Sequence, residues 1–221
     1  MVLVAIIVLA GLGVGFAARG SLRNFERIRV RWWAVALVGL ATQVLPVPER
    51  YGTGLAVGLL LASYVLLIVF VWINRRLPAA PLILIGLVLN ASVIAANQGM
   101  PVSAAAIRSA GSSGESLVSG VEGKKHHLMT DDDVLRPLAD VIPVPSPIGV
   151  ILSIGDLFLY LGVACFVVLV MTGRFDEDGR PKARLQMYRG KHLPPERRLP
   201  RRSRSPRAAP RTGAVRSGTA P

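Results

Sequence analysis

Residues 148–171 read IGVILSIGDLFLYLGVACFVVLVM, an apolar run with one ionisable side chain, Asp156. At 1.5 Å per residue, about 20 apolar residues cross the ~30 Å hydrocarbon core of a bilayer, so the run predicts a membrane-spanning helix. A carboxylate in such a helix costs roughly 2.5–3.5 kcal/mol on insertion scales and turns toward protein, away from lipid. Asp156 therefore predicts neighbouring spans that give it a polar setting. Ser146 and Pro147 suit the N-cap and first position of this helix. Counted from Pro147, Asp156 lies about nine residues in, roughly 13 Å below the outer boundary. Ser153 and Tyr160, at i−3 and i+4, share its face.

Four further apolar runs precede this one, at 2–18, 32–45, 55–73 and 82–97. Together they predict an all-α transmembrane bundle of five helices within residues 1–172. The first run lacks a basic segment ahead of it and is read as an uncleaved helix, not a signal peptide. Its Gly11 and Gly15 form a G-x-x-x-G pattern, which permits close helix approach. The second opens on Trp32 and Trp33, suited to the interfacial belt, and ends at Pro46 and Pro48. Between the fourth and fifth runs lies a loop, 98–147, whose middle is rich in Ser and Gly and whose end is stiffened by prolines.

The formal net charge of +13 does not describe a nucleic-acid-binding surface. Residues 172–221 hold 14 Lys and Arg against 4 Asp and Glu, while the remainder holds 12 against 9. Residues 173–221 therefore read as a disordered, basic, Arg/Pro-rich tail. No aromatic residue follows Tyr188 to stack on bases, so nucleic acid is not an expected partner. Anionic lipid headgroups at the tail are, alongside the bilayer itself. Arg19, Arg23, Arg27, Arg29 and Arg31 follow the first run, and Arg75 and Arg76 follow the third. The positive-inside rule then puts the N-terminus outside and the tail in the cytoplasm of a bacterial inner-membrane protein. Oligomeric state is not legible in the sequence.

On that topology the polar residues within the spans gather in the outer half: Gln43, Asn90, Asn97 with the adjacent Gln98, Ser153, Asp156 and Tyr160. Only Ser63 and Tyr64 depart from an apolar cytoplasmic half. Asn90 and Asn97, seven residues apart, fall on one helical stripe. Two readings follow. In one, Asn90, Asn97 and Asp156 bond to each other or to backbone and set helix register, at about 0.6 kcal/mol per bond. In the other, they line an outward-facing pocket whose carboxylate takes a cation, a proton or a polar headgroup. His126, His127 and Asp131 to Asp133 match no metal-ligand spacing, and Thr130 ahead of the acids resembles a helix start. No metal, cofactor or nucleotide motif is present, and the preferred reading is a non-enzymatic protein with a binding, envelope or small-solute role.

Three stretches, RGSLRNFERIRVR (19–31), LNASVIAANQGMPVS (89–103) and LADVIPVPSPIGVILSIGDLFLYLG (138–162), resemble an uncharacterised family of bacterial integral membrane proteins, largely actinobacterial and clostridial. The resemblance implies a multi-pass protein and supplies no activity or catalytic residue. A smaller similarity links SIGD (153–156) to the N-x-A-D segment of lipoprotein signal peptidases, with Ser153 and Gly155 in place of Asn and Ala. That resemblance implies the alternative, a membrane-embedded aspartyl hydrolase using Asp156 with Asp140 as the nearest second carboxylate. The partner N-x-x-D-R motif is absent from the sequence.

Overall fold

The computed structural model describes residues 2–44, 47, 52–111, 125–176 and 181–182. The apolar runs fold into α1 (Val2–Ala17), α2 (Trp33–Val44), α3 (Gly52–Ile73) and α4 (Ala80–Asn97), then a short α5 (Ala104–Ala110) and finally α6 (Ile154–Met171). A 3-10 turn, Leu22–Arg27, joins α1 to α2. Packing follows the order α1–α6–α4–α3–α2. Small residues allow the closest of these approaches. A Cβ on Gly86 of α4 would stand 2.5 Å from the Gly155 carbonyl oxygen of α6. A Cβ on Gly11 would stand 3.2 Å from that of Val167, so the G-x-x-x-G face of α1 lies against α6.

Three helices, α3, α4 and α6, are long and apolar enough to cross a membrane. The expectation of five spans is thereby corrected, although the protein remains polytopic. Helix α1 has 16 residues and α2 has 12. Their rises of about 24 Å and 18 Å fall short of a ~30 Å core. Trp32, just before α2, takes a left-handed φ of 57°, and Pro46 and Pro48 follow α2 in the sequence. The apolar runs at 2–18 and 32–45 were themselves already shorter than the roughly 20 residues a span needs.

The last helix begins later than the sequence reading put it. Residues 148–153 are not its first turns. Instead β4 (Val150–Leu152) pairs antiparallel with β3 (Ile142–Val144), with Ile142 opposite Leu152, and α6 starts at Ile154. Likewise 98–147 is not a plain loop. Strand β1 (Met100–Val102) runs parallel to β2 (His126–Leu128), and Asp140 bridges to Val102 beside them. Val102, Ala106, Ala110 and Ile151 form a small core for this cap. Met100 and Ala139 join Val57, Leu60, Val93 and Ile94, which seats the cap on α3 and α4. The acids after Thr130 lie in a turn and not in a helix.

The chain divides after Lys182, and Ala183–Pro221 lies outside the described residues. The expected disordered tail falls mostly there. Its described part holds a bridge between Phe175 and Pro181. The middle of the loop, 112–124, and the turn 48–51 also lie outside the described residues.

Candidate functional site

The start of α6 explains why Asp156 is tolerated. The first N–H groups of a helix have no partner within it, and Ser153 and Asp156 satisfy two of them reciprocally. The Asp156 backbone N–H donates to Ser153 Oγ at 2.9 Å, and the Ser153 N–H donates to Asp156 Oδ2 at 3.1 Å. The carboxylate stands in the third helical position, at the positive end of the helix dipole. It is therefore near the start of α6, about 4 Å along its axis, and level with Asn90, seven residues in from the end of α4.

Asn90 of α4 closes this arrangement. Its Nδ2 donates to Asp156 Oδ1 at 2.8 Å, and its Oδ1 accepts from Ser153 Oγ at 2.9 Å. Ser153 and Asn90 are fully buried. Each polar atom of the ring has a donor or acceptor of the right sense, the condition under which a buried polar network stabilises. Residue 155 has to be glycine, because a Cβ there would collide with Asn90 Oδ1.

Next to this ring is a cavity of about 300 Å³. Its polar lining comprises Gln43, Tyr64, Asn90, Lys125, His126, Asp140 and Asp156, with Leu60, Ile94, Met100 and Ile151 as its apolar wall. Lys125 Nζ donates to the Gln43 carbonyl oxygen. Asp140 is 5% exposed, and its Oδ2 lies 3.8 Å from His126 Nε2. Burial, and secondarily the charge of Asp156, push its carboxyl up to about 8. Removing a carboxylate from water disfavours its charged form, which favours the protonated acid at Asp140.

The sequence candidates divide into two groups. Gln43, Asn90, Asp140 and Asp156 meet at the cavity, with Ser153 directly behind it. Asn97, Gln98 and Tyr160 are not among its lining residues. Asn97 fastens the cap to α4: its Nδ2 donates to the Val134 carbonyl at 2.9 Å and its Oδ1 accepts from the Val134 N–H at 2.8 Å. Gln98 is the exposed, left-handed C-cap of α4. The common stripe expected for Asn90 and Asn97 thus serves two different partners.

Tyr64, Lys125 and His126 were not candidates, although they line the cavity. Tyr64 lines the cavity together with Asn90 and Asp156 and does not stand apart from them in the opposite half of the bundle. A strand's alternation separates His126, which faces Asp140, from His127, which pairs with Asp133 Oδ1 at 2.9 Å. Burial works to raise Asp133, yet hydrogen bonds from the Thr130 N–H, from His127 and from the Thr130 hydroxyl hold it below its ordinary 3.8. Among the described residues, no group of three or more His, Cys, Asp or Glu side chains is arranged to hold a metal ion.

The sequence pattern of one family, described as a family of unknown function (DUF5317), matches residues 27–168. An uncharacterized protein of Thermotoga maritima is 29% identical over 153 residues, 68% of this chain and 82% of the relative. No solved structure matches.

Proposed function

The chain belongs to the DUF5317 family, whose activity is unknown, and on that premise we propose that it binds a small cationic solute or headgroup in the cavity beside α6. The observation that carries this reading is Asp140, a buried carboxyl group lining the same cavity as Asp156. Two acidic groups sharing one enclosure resist ionising together, and a bound cation relieves that repulsion. Asp156 has a fixed part. Both its oxygens already accept hydrogen bonds, from Asn90 and from Ser153. Asp140 is then the group that exchanges its proton for the ligand's charge. His126 and Tyr64 supply further polar contacts around it.

The same arrangement argues against the hydrolase. An aspartyl dyad needs two carboxyl groups free to share a proton across a substrate. Asp156 is committed to capping its helix, and no observation favours the second reading.

Orientation follows from charge. Arg29, Arg31, Arg75 and Arg76 lie together at one end of the bundle, around Asn74. The positive-inside rule makes that end cytoplasmic, which leaves the Asp140 cavity facing outward from a bacterial inner membrane. The basic tail is proposed to rest on anionic headgroups on the cytoplasmic side.

The test is thermal stability of the full-length protein in a neutral detergent, with ethanolamine, choline or spermidine added at pH 6 and at pH 9. Stabilisation by at least one amine is expected at pH 9, where Asp140 is ionised, with less at pH 6 and none in Asp140→Asn. Equal shifts in Asp140→Asn, or no shift at either pH, would contradict the proposal.

A further inference from the structure

The cap carries two adjacent apolar side chains turned outward, Val134 at 51% exposure and Leu135 at 43%. They do not belong to a loose loop. Asn97, the last residue of α4, accepts from the Val134 N–H at 2.8 Å and donates to the Val134 carbonyl at 2.9 Å. The Leu135 carbonyl accepts from the Leu138 N–H at 2.8 Å, and Leu138 and the fully buried Ala139 pack into the core with Val57, Val93 and Ile94. The turn is thus held from both sides while its two apolar tips stay out. Leu135 has a left-handed φ of 57°, a region that a bulky residue enters only where its surroundings fix it.

The same bonds set the height of the turn. Helix α4 has 18 residues, a rise of about 27 Å, which nearly fills a ~30 Å hydrocarbon core. Asn97 therefore stands close to the boundary between hydrocarbon and headgroups. Its Nδ2 also donates to the Val93 carbonyl, one turn back, at 2.9 Å. The amide accordingly lies along the side of the last helical turn, and Val134, bonded to it, stands beside α4 and not above its end. Single exposed apolar residues are ordinary on a surface facing water. Two together at this height face the edge of the hydrocarbon. Charged groups border them, with Arg136 paired to the exposed Asp131 at 3.1 Å, as at the polar margin of an interfacial segment.

The two ends of the bundle also differ in their anchors. The chain has three tryptophans, and all are exposed near Asn74: Trp32 and Trp33 follow Arg31, whose backbone Asn74 holds, and Trp72 precedes Asn74 in α3. Exposed tryptophans fix the headgroup level of a membrane protein. The Asn97 end has no tryptophan for that purpose.

We infer that the Val134–Leu135 turn is the anchor at that end, an interfacial contact whose two side chains enter the edge of the hydrocarbon in the leaflet on the Asp140 side. The partner is the bilayer itself, and Asp131 and Arg136 stand among its headgroups. Asp140 follows Leu135 by five residues, so the anchor holds this wall of the cavity at the membrane surface. The inference does not depend on the amine-binding reading.

The test uses full-length protein with Cys165→Ala, spin-labelled at one introduced cysteine at a time and reconstituted in vesicles of phosphatidylcholine and phosphatidylglycerol. Val134→Cys and Leu135→Cys are compared with Asp132→Cys, an exposed reference for water, and with Val88→Cys, an exposed reference for lipid midway along α4. Relaxation of the label by oxygen, which concentrates in hydrocarbon, is measured against relaxation by a water-soluble nickel chelate. The oxygen-to-nickel ratio is expected to be several-fold higher at positions 134 and 135 than at 132, and to approach that at 88. A ratio at 134 and 135 equal to that at 132 would place the turn in water and overturn the inference. Labels shielded from both agents would overturn it too, because another segment of the chain or a second copy would then cover the turn. A measurement without substitutions guards against a label that disturbs the fold. In wild-type protein, a phospholipid with a diazirine near the headgroup end of its acyl chain is expected to modify the peptide containing 131–138. Modification of α4 with that peptide left untouched would contradict the assignment.

Discussion

Cutting the ring of Asn90, Ser153 and Asp156 one side chain at a time gives a quantitative check on the structure. Asn90→Ala removes a donor to Asp156 Oδ1 and an acceptor from Ser153 Oγ. The loss leaves an unpartnered hydroxyl and a half-satisfied carboxylate in a buried place, at about 1–3 kcal/mol. Asp156→Ala leaves the Ser153 N–H and the Asn90 amide without acceptors and discards the favourable helix-dipole term, at about 2–4 kcal/mol. In the double variant the bond between residues 90 and 156 can be lost only once. Side-chain bonds between membrane helices average about 0.6 kcal/mol and reach about 1.7, so the coupling energy is expected at about 1–2 kcal/mol for a charged acceptor. Unfolding of the four proteins by denaturing detergent measures it. Single-variant losses that add to within about 0.3 kcal/mol in the double variant would refute the bond, and with it the account of why Asp156 is tolerated.

Further outcomes follow from the same geometry. Asp140 binds its proton more tightly folded than unfolded, at about 8 against 3.8. Stability should therefore fall as pH rises between these values, by about 2 kcal/mol or some 5–8 °C from pH 6 to pH 8. Asp140→Asn should lack this component in a melting series, and an unchanged pH slope would argue against the burial of a protonated carboxyl. Gly155→Ala should cost about 1–3 kcal/mol or more in the same unfolding assay, because its methyl group meets Asn90 Oδ1; a neutral result would mean that α4 and α6 are further apart. Asn74→Ala should cost about 2–3 kcal/mol by detaching Arg31 from α3, with Asn74→Asp intermediate because one carboxylate oxygen can still accept from the Arg31 N–H. A reporter that functions only outside the cytoplasm, inserted after Ser112, should be active, and silence would reverse the proposed orientation.

The three long spans were legible because sustained apolar composition over α3, α4 and α6 is a strong signal. The start of α6 was legible too, yet the reading missed it. Ser153-Ile-Gly-Asp156 ahead of an apolar run is a capping-box pattern. Ser146 and Pro147 offer a competing cap, and filling the width of a bilayer from Pro147 puts residues 148–153 in the helix, where the fold has β4. The pairing of Asp156 with Asn90 was foreseeable from the cost of a buried acid. The grouping of Asp140 with His126 was not. It depends on β1 and β2 meeting across a separation in the chain that no local pattern specifies, and on Asp140 bridging to Val102 beside them. The same holds for the arginines around Asn74, which joins residues 43 positions apart. Charge told which loops were basic; only the fold showed that two of them converge.

With its pKa raised by burial, Asp140 puts a neutral carboxyl group in the cavity beside α6. Infrared spectroscopy of the detergent-solubilised full-length protein tests it most directly, by difference against Asp140→Asn. A protonated-carboxyl stretching band is expected at pH 7, titrating away near pH 8 and missing from the variant. A spectrum with no such band at pH 7, or a band that survives in Asp140→Asn, would contradict it.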